Sequence, residues 1–396
     1  MFGKRRVYLD YASAAPVSRR AFRAYLRAAK AWGNPSSPHE EGRHAREILE
    51  EARTSIARLI EVKADDIIFT SGATEANNLA IRGVARPGSH VLYLPSAHPS
   101  IVESVRALEG VVAEPLPLLG GKVDIDALTK RLRPTTALIS IEAVCGETGT
   151  IWNTREVSHA VHEFFTRSGP GNRSQKTHTS RALIHVDASQ APLSEKITRA
   201  HFAADLLTLD AQKVGGMRGI GALIAPSTLA LTPLIVGGGQ ERSIRSGTPA
   251  PALAAAFAAA LNEAAAGQER FRRAATTIRK ELLRALTTGI KTIYINEGAE
   301  AAPHILNASL PGRDTDYLVA LLDEAGFAVS TRSACETDSQ TGSRAVFALT
   351  GDLERAKTTL RVSWGAAISR RKLLRFAAAL ARAVQFIDNT SPKSHY

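Results

Sequence analysis

The stretches LIHVDASQ at 183–190 and LLTLDAQKVGG at 206–216 decide the fold of this chain. In each stretch a short apolar run stops at a carboxylate, Asp187 or Asp210, and Lys213 follows soon after the second. Such runs are typical of buried strands in an open α/β sheet, whose carboxyl ends form the ligand-binding edge. We therefore expect Asp187 and Lys213 to face into one crevice.

A lysine and an aspartate in this arrangement suit pyridoxal phosphate. The lysine amine forms a Schiff base with the aldehyde of that cofactor, and a carboxylate opposite the pyridine nitrogen keeps the nitrogen protonated. The alternative is a surface lysine after one strand and an aspartate that caps a helix. These two residues alone leave both interpretations open.

The segment IIFTSGATEANNLAIRG at 67–83 predicts a strand, a turn and a helix. Small residues at 71–73 let the backbone approach a ligand closely, and Thr74 stands at the helix start, where unpaired N–H groups attract an anion. A strand followed by glycine and a helix is common. This segment alone is therefore a weak signal for phosphate.

Strands alternate with helices along the chain, which predicts an α/β fold with a mostly parallel sheet covered on both faces. An alanine-rich helix near 251–287 is unusually long for a globular protein. We interpret it as the strut between a large domain and a second, smaller α/β unit. A chain of 396 residues with 44% hydrophobic content also predicts two domains. The predicted boundaries are 15–255 for the large domain, with 1–14 and 256–396 in the small one.

The composition argues against membrane and metal-binding classes of protein. The longest apolar stretch, 252–261, is too short to span a bilayer, and residues 1–16 lack the apolar core of an export signal. Cys145 and Cys335 are 190 residues apart and fit neither a disulfide framework nor a zinc site. We expect a protein without a metal centre in the reducing cytoplasm.

The net charge of +12 raises the question of a nucleic-acid partner. No recognition motif for DNA or RNA is visible, and long basic runs interleaved with aromatic residues are absent from the sequence. Residues 166–181 carry basic side chains and no acid in a Gly/Ser/Thr-rich setting. We interpret them as a solvated loop in preference to an RNA-docking arm, and expect no direct nucleic-acid partner.

The order and spacing of ten segments resemble the cysteine desulfurases, in the class V aminotransferase group of fold-type I pyridoxal phosphate enzymes. The segments are LDYASAAPV, GNPSS, FTSGATEANNLAIRG, SAH, HVDASQ, QKVGG followed by GIGAL, GGGQER, RSGT, RSAC and LRVSWG. The resemblance covers about residues 7–386. It implies a three-layer large domain, a smaller C-terminal α/β domain, and a homodimer with its sites at the subunit interface.

The resemblance also implies an activity. The enzyme would convert L-cysteine to L-alanine and pass the sulfur to an acceptor protein that serves iron–sulfur, thio-cofactor or tRNA pathways. The resemblance assigns Lys213 to the Schiff base and Asp187 to the pyridine nitrogen. It assigns Gln190 to the phenolic oxygen of the cofactor and His98 to stacking on the ring, with a further role for His98 as a proton carrier.

The phosphate end of the cofactor would be held by residues from two subunits. Ala73 and Thr74 match phosphate contacts of the family, and Thr248 matches a contact that the family donates from the neighbouring subunit. Where relatives usually have Ser-Gly-His before the lysine, this chain has Asp210-Ala211-Gln212. Gln212 can still donate to phosphate. An ionised Asp210 beside the phosphate dianion would be repelled, so Asp210 must be protonated, turned away, or bridged by a cation or an arginine.

The substrate end rests on three residues. Asn34 and Arg361 resemble the pair that holds the substrate carboxylate, and a buried Arg361 would need such an anion. Cys335 falls where the family keeps its sulfur-accepting cysteine, in a polar stretch that leaves the thiol exposed. The chain departs from the family pattern at the pair Cys145-Gly146, at Gln240 and at Arg332.

These departures keep the lysine, the ring carboxylate and the cysteine, so we expect an active enzyme with a retuned phosphate site. Two alternatives stay open. A selenocysteine lyase, or another β-lyase or aminotransferase of this type, would share the cofactor residues without depending on Cys335. A non-catalytic scaffold would fail to bind the cofactor, and the altered 210–212 triplet is the one hint of it.

Overall fold

The computed structural model describes residues 6–167, 181–331 and 342–390. Its helices are α1 Arg19–Ala28, α2 Glu40–Ile60, α3 Ala73–Val84, α4 Pro99–Arg106, α5 Ile125–Arg131, α6 Thr154–Arg167, α7 Arg199–Phe202, α8 Pro251–Gly289, α9 Thr315–Glu324, α10 Arg344–Thr350, α11 Leu353–Lys357 and α12 Arg370–Thr390. Its strands are β1 Val7–Tyr8, β2 Ile67–Thr70, β3 His90–Tyr93, β4 Val112–Pro115, β5 Leu118–Leu119, β6 Lys122–Val123, β7 Thr136–Glu142, β8 Leu183–Asp187, β9 Leu206–Asp210, β10 Gly221–Ile224, β11 Tyr294–Ile295, β12 Ile305–Ser309, β13 Phe327–Ala328 and β14 Thr359–Ser363.

A seven-stranded sheet in the order β2-β10-β9-β8-β7-β3-β4 forms the centre of the molecule. The strands from β9 to β4 in this order are parallel, and β10 is antiparallel to both of its neighbours, β9 and β2. The predicted α/β class with a mostly parallel sheet is confirmed. Strand β10 thus lies between β9 and β2, an order that the alternation of strands and helices along the chain does not specify.

The end of β9 and the turn that follows it position Lys213. After β9 ends at Asp210, residues 211–214 form a 3-10 turn that carries Lys213, and Gly215 closes the turn with φ +79°. A Cβ atom at the next residue, Gly216, would lie 2.9 Å from the Cβ of Ala211, so the chain turns back too tightly for a side chain there. The two glycines therefore hold Lys213 close to the carboxyl end of β9.

Polar side chains cap the starts of the first two helices. Ser18 precedes α1 and accepts a hydrogen bond from the N–H of Ala21. His39 caps α2 through Nδ1, which accepts from the N–H of Gly42, so α2 begins at Glu40. Side-chain capping of this kind satisfies the first N–H groups of a helix.

Helix α8 contributes side chains to both hydrophobic cores. Its 39 residues extend for about 58 Å at the usual helical rise. Near its start Phe257 and Leu261 are fully buried in the core around the central sheet, whereas Leu282 and Leu286 belong to a second core. The prediction of a long connecting helix is confirmed.

The second core surrounds the antiparallel sheet β11-β12-β14 and helices α9 and α12. The start of the chain joins this unit, because β1 pairs in parallel with β13 and Val7 and Leu9 are buried there. Domain boundaries near residues 14 and 255 stay a prediction. Among the described helices, none combines the length and the apolar character that crossing a bilayer requires.

Candidate active site

A cavity of about 200 Å³ lies at the carboxyl ends of β7, β8 and β9. The residues predicted for the site that line it are Ala73, Thr74, His98, Asp187, Gln190, Asp210, Gln212, Lys213 and Arg361. These residues come from distant parts of the sequence, and the sheet brings them together because its parallel strands end at one edge.

Asp187 is buried at the end of β8 and accepts two hydrogen bonds. The side-chain amide of Asn77 donates to one carboxylate oxygen at 2.7 Å, and the N–H of Ser189 donates to the other at 2.9 Å. Asn77 was not predicted as a site residue, although an asparagine on the inward face of α3 is a signal for a buried polar partner. Both donors compensate the negative charge of Asp187.

Lys213 contacts the segment that follows β1. Its Nζ donates to the carbonyl oxygens of Ala12 at 2.9 Å and Ser13 at 2.8 Å, and the side-chain amide of Gln190 donates to Ala12 at 2.9 Å. The segment 12–13 therefore fixes the ammonium group at the cavity wall. Sequence motifs did not predict this contact, because it joins residues about 200 positions apart.

His98 is held by hydrogen bonds at one ring nitrogen. Nδ1 accepts from the N–H of Ser100 at 3.1 Å and lies 2.8 Å from the Ser100 hydroxyl, which in turn accepts from Asn77. Burial, reinforced by the charges of Lys213 and Arg361, lowers the pKa of His98 to about 4. The imidazole is therefore neutral near pH 7, and because Nδ1 accepts from Ser100, its one ring proton is on Nε2.

Glu142 is a site residue that the sequence prediction missed. It ends β7 in register with Asp187 on β8, and its Oε1 accepts from the N–H of His98 at 2.7 Å. Its Oε2 is buried, and none of the residues that the structure describes donates a hydrogen bond to it. Burial first, and then the charge of Asp187, raise the pKa of Glu142 to about 8. The signal was present, because Glu142 also stands near the end of an apolar run.

Asp210 points at the start of α3. Its Oδ2 accepts from the N–H of Ala73 at 3.0 Å, and its Oδ1 accepts from the N–H of Gln212 at 2.9 Å. Burial raises the pKa of this carboxyl. Asp210 thus faces the N–H groups at the start of α3, and the choice among the three arrangements considered from the sequence stays a prediction.

Arg361 lines the cavity but already has an anionic partner. Its guanidinium donates to the carboxylate of Asp10 at 2.8 Å, to the hydroxyl of Ser13 at 2.5 Å, and to the carbonyl oxygen of Gly146 at 3.1 Å. The argument that burial of Arg361 demands a substrate carboxylate is therefore wrong, since Asp10 supplies the charge. Its role in substrate binding stays a prediction.

Three of the predicted residues are not placed at the cavity by the described parts of the chain. Asn34 is exposed, and its Oδ1 accepts from the N–H of Ser36. Thr248 is exposed and lines a separate cavity beside Ser71 and Arg245. Cys335, together with Arg332 and most of the basic loop 166–181, lies outside the described residues.

The pair Cys145-Gly146 fits tightly beside Gln190. A Cβ atom at Gly146 would lie 2.9 Å from the amide nitrogen of Gln190, so an asparagine there would displace the Gln190 side chain. Cys145 is buried, and burial raises the pKa of its thiol to about 12, so the group stays protonated. Its position at the cavity wall agrees with the predicted packing role and disfavours a thiolate nucleophile there.

The residues of the cavity fit pyridoxal phosphate. Lys213 and the buried carboxylate of Asp187 line the same cavity, and α3 starts at its edge with Ala73 and Thr74. An amine, a carboxylate and a helix start are the groups that the aldehyde, the ring nitrogen and the phosphate require. The fit is less favourable at the phosphate end, where Asp210 adds a carboxylate.

The sequence profile of the aminotransferase class-V family matches residues 7–166 and 172–376. The cysteine desulfurase IscS 1 of Archaeoglobus fulgidus is 32% identical to this chain, with 97% of this chain and 98% of the relative covered. The cysteine desulfurase IscS of Dictyoglomus turgidum is 33% identical, with 98% and 97% covered. Among solved structures, a NifS-like protein superposes with a TM-score of 0.86 at 26% identity, covering 96% of this chain and 100% of the other.

We expect Glu142→Gln to stabilise the protein more at about pH 8.5 than at about pH 5. The folded protein keeps Glu142 protonated up to about pH 8, whereas the ordinary pKa is 4.5, so unfolding releases a proton between these values. The contribution of Glu142 to the free energy of unfolding therefore falls as the pH rises from 4.5 to about 8. Glutamine does not ionise and still accepts from the N–H of His98.

Urea denaturation at the two pH values measures the effect, and Glu51→Gln on the exposed face of α2 is the control. A stability difference between Glu142→Gln and the wild type that does not change with pH would contradict the raised pKa.

Proposed function

The chain belongs to the aminotransferase class-V family and is a pyridoxal-phosphate-dependent cysteine desulfurase, and we propose the residues through which it removes sulfur from L-cysteine. The observation that carries the proposal is that Lys213 and Asp187 line one cavity at the ends of neighbouring strands. Lys213 would hold the cofactor and Asp187 its ring nitrogen, with Gln190 and His98 beside the ring.

When bound, the cofactor supplies an electron-withdrawing ring that makes the Cα hydrogen of an attached amino acid acidic. Lys213 accepts that proton at Nζ once its amine is free. Asn77 and Ser189 donate to the two oxygens of the Asp187 carboxyl and fix it at the end of β8, where it would meet the ring nitrogen. The neutral imidazole of His98, with Nδ1 occupied by Ser100, has Nε2 available to move a proton.

Arg361 and Asn34 orient the carboxylate of the substrate in this proposal. The fixed contacts of Arg361 with Asp10 and Gly146 hold its guanidinium at the cavity wall before substrate binds. A preorganised cation binds a carboxylate without first ordering its own side chain, which favours both affinity and orientation. Asn34 is exposed in the single chain, so its contribution depends on groups brought by a second subunit.

Cys335 is the proposed sulfur acceptor. Its thiolate attacks the sulfur of the substrate and forms an S–S bond, while the C–S bond breaks and leaves its electron pair on the carbon skeleton. A proton added to that carbon gives L-alanine, and the sulfur stays on Cys335 as a persulfide. The persulfide then passes to an acceptor protein that serves iron–sulfur cluster, thio-cofactor or tRNA pathways, which we place in the cytoplasm.

A homodimer is the proposed assembly. Exposed apolar side chains lie on α1 and in the segments after it and before α8, namely Phe22, Leu26, Trp32 and Val236. Apolar surface of this kind marks contact sites in many proteins. Thr248 lies outside the cavity of its own chain, which is consistent with a hydroxyl that serves the cavity of a second copy.

We expect Lys213→Ala to abolish the visible absorbance of the bound cofactor, because the variant lacks the amine that holds the aldehyde. Absorbance spectra of the purified protein after incubation with pyridoxal phosphate measure this. Lys196→Ala removes an exposed lysine that pairs with Glu61 and is the control. If Lys213→Ala keeps an absorbance that borohydride bleaches, another lysine holds the cofactor and the assignment is wrong.

We expect cysteine to add one sulfur atom to Cys335 and a thiol reductant to remove it, while Cys335→Ser releases no sulfide. The physical reason is that serine lacks the polarisable nucleophile that attacks sulfur. Intact-protein and peptide mass spectrometry locate the added sulfur, and Cys145→Ser is the matched control. Sulfide release that persists in Cys335→Ser, or a persulfide on Cys145, would favour a lyase mechanism over the proposed one.

We expect Thr248→Ala to weaken cofactor binding about tenfold, the amount that the loss of one hydrogen bond to a charged group produces. Light scattering is expected to give a dimer for the wild-type protein. Titration of the cofactor-free protein measures binding, and Thr276→Ala on the exposed surface of α8 is the control. A monomer that binds the cofactor at full affinity would contradict the shared site.

A further inference from the structure

Asp210 occupies the place at the start of α3 where an anion is expected to bind. Gly72 precedes α3 and has no side chain to cap the helix, and the carboxylate of Asp210 from the end of β9 takes that role. It accepts from the N–H of Ala73 at 3.0 Å and from the N–H of Gln212 at 2.9 Å, and the residue is only 5% exposed. Two N–H donors at the phosphate end of the cavity are thus already satisfied by the chain itself.

The absence of a side chain at Gly72 allows this approach. A Cβ atom at Gly72 would lie 3.5 Å from Oδ2 of Asp210, which is ordinary contact distance, but the backbone there has φ +152°, a conformation that other residues rarely adopt. The carboxylate and the helix start are therefore brought together by the local backbone. The two bonds are a built feature of the apo fold, since both partners belong to regular elements.

The charges around the cavity make a second anion unfavourable. Four carboxyl groups line it, and the cationic side chains that line it in the described part of the chain are Lys213 and Arg361, of which Arg361 is paired with Asp10. The carboxyl groups are Glu142, Glu147, Asp187 and Asp210, of which Glu142 is protonated below about pH 8 and adds no charge there. A phosphate dianion that approaches Ala73 meets the Asp210 carboxylate at the same N–H group, and like charges at this distance repel strongly in a buried site.

We propose that Asp210 is a specificity-determining residue that competes with the cofactor phosphate for the N–H of Ala73, so that this protein discriminates weakly between pyridoxal phosphate and unphosphorylated pyridoxal. The proposal rests on the proposed function, because it assigns the phosphate to the start of α3. To admit the phosphate, Asp210 either takes up a proton or gives up its bond to Ala73. Pyridoxal carries a neutral hydroxymethyl group at that position and meets no such competition.

The environment of Asp210 supports this account. Burial raises the pKa of its carboxyl, while the N–H of Ala73, the charge of Lys213 and the N–H of Gln212 act in the opposite direction and Asp187 acts with burial. A proton on Asp210 turns the carboxyl into a donor and removes the competition. Entry of the phosphate is therefore coupled to the uptake of a proton or to the movement of one side chain.

The test compares the dissociation constants of pyridoxal phosphate and pyridoxal for the cofactor-free full chain, measured by absorbance and fluorescence titration. The variants are Asp210→Asn, which keeps the shape but replaces the charged acceptor of the Ala73 N–H with a weaker neutral one, and Asp210→Ser, which is smaller and neutral. Asp65→Asn removes the same charge from an exposed position and is the control. Circular dichroism verifies that each variant is folded.

We expect both Asp210 variants to bind pyridoxal phosphate about tenfold more tightly than the wild type, with pyridoxal affinity unchanged, so that the ratio of the two constants changes about tenfold. Asp65→Asn leaves both constants unchanged. An unchanged ratio in folded Asp210→Asn and Asp210→Ser, or a weaker binding of pyridoxal phosphate by both, would overturn the competition.

Inorganic phosphate separates this inference from the proposed function. We expect it to raise the melting temperature of Asp210→Asn more than that of the wild type, a result that does not depend on Schiff-base formation. If neither vitamer binds the wild type but phosphate still distinguishes the two proteins, the proposed function fails and the competition at α3 stands. An equal effect of phosphate on both proteins would count against the competition itself.

Discussion

Three acidic side chains, Glu142, Asp187 and Asp210, end neighbouring strands at one buried edge of the central sheet, and the site depends on how each is kept there. Burial of an ionised carboxylate is costly unless hydrogen bonds or charges compensate it. Asp187 receives two N–H donors, Asp210 receives two from the backbone, and Glu142 receives one from His98. The three environments therefore give three carboxyl groups of different character in one cavity.

The chemistry of the cavity follows from the different hydrogen-bond environments of these three carboxyl groups more than from the shape of the cavity. When the surroundings shift the pKa values of neighbouring titratable groups apart, each group becomes suited to a different chemical task. Asp187 accepts a hydrogen bond at each carboxyl oxygen, whereas Glu142 has one oxygen that no described residue contacts as a donor, and burial raises its pKa to about 8. His98 links these groups, because its backbone N–H donates to Glu142 and its neutral imidazole shares the hydroxyl of Ser100 with Asn77.

Local sequence patterns predicted those features of the fold and the site that depend on residues close together in the sequence. Apolar runs that end in an acid predicted β8, β9 and the joint position of Asp187 and Lys213, and the alanine-rich stretch predicted α8. The same pattern at 136–142 was available for Glu142 and was not used. Asp10 and Arg361 could not be paired in this way, because 351 positions separate them and no periodicity connects them. The position of β10 between β9 and β2 could not be predicted either, because local strand propensity does not specify which strands pair with each other.

Residues 7–13 contact segments that lie far along the chain, and this has a consequence for how the protein is made. Val7 pairs with Phe327, Asp10 binds Arg361, and Ala12 and Ser13 accept from Lys213. During synthesis on the ribosome, residues 7–13 emerge early, but Lys213 follows them by about 200 residues and Phe327 and Arg361 follow by more than three hundred. Such long-range pairing makes the last steps of folding slow. The central sheet is thus able to form first, whereas the active site is complete only after Arg361 has been added to the chain.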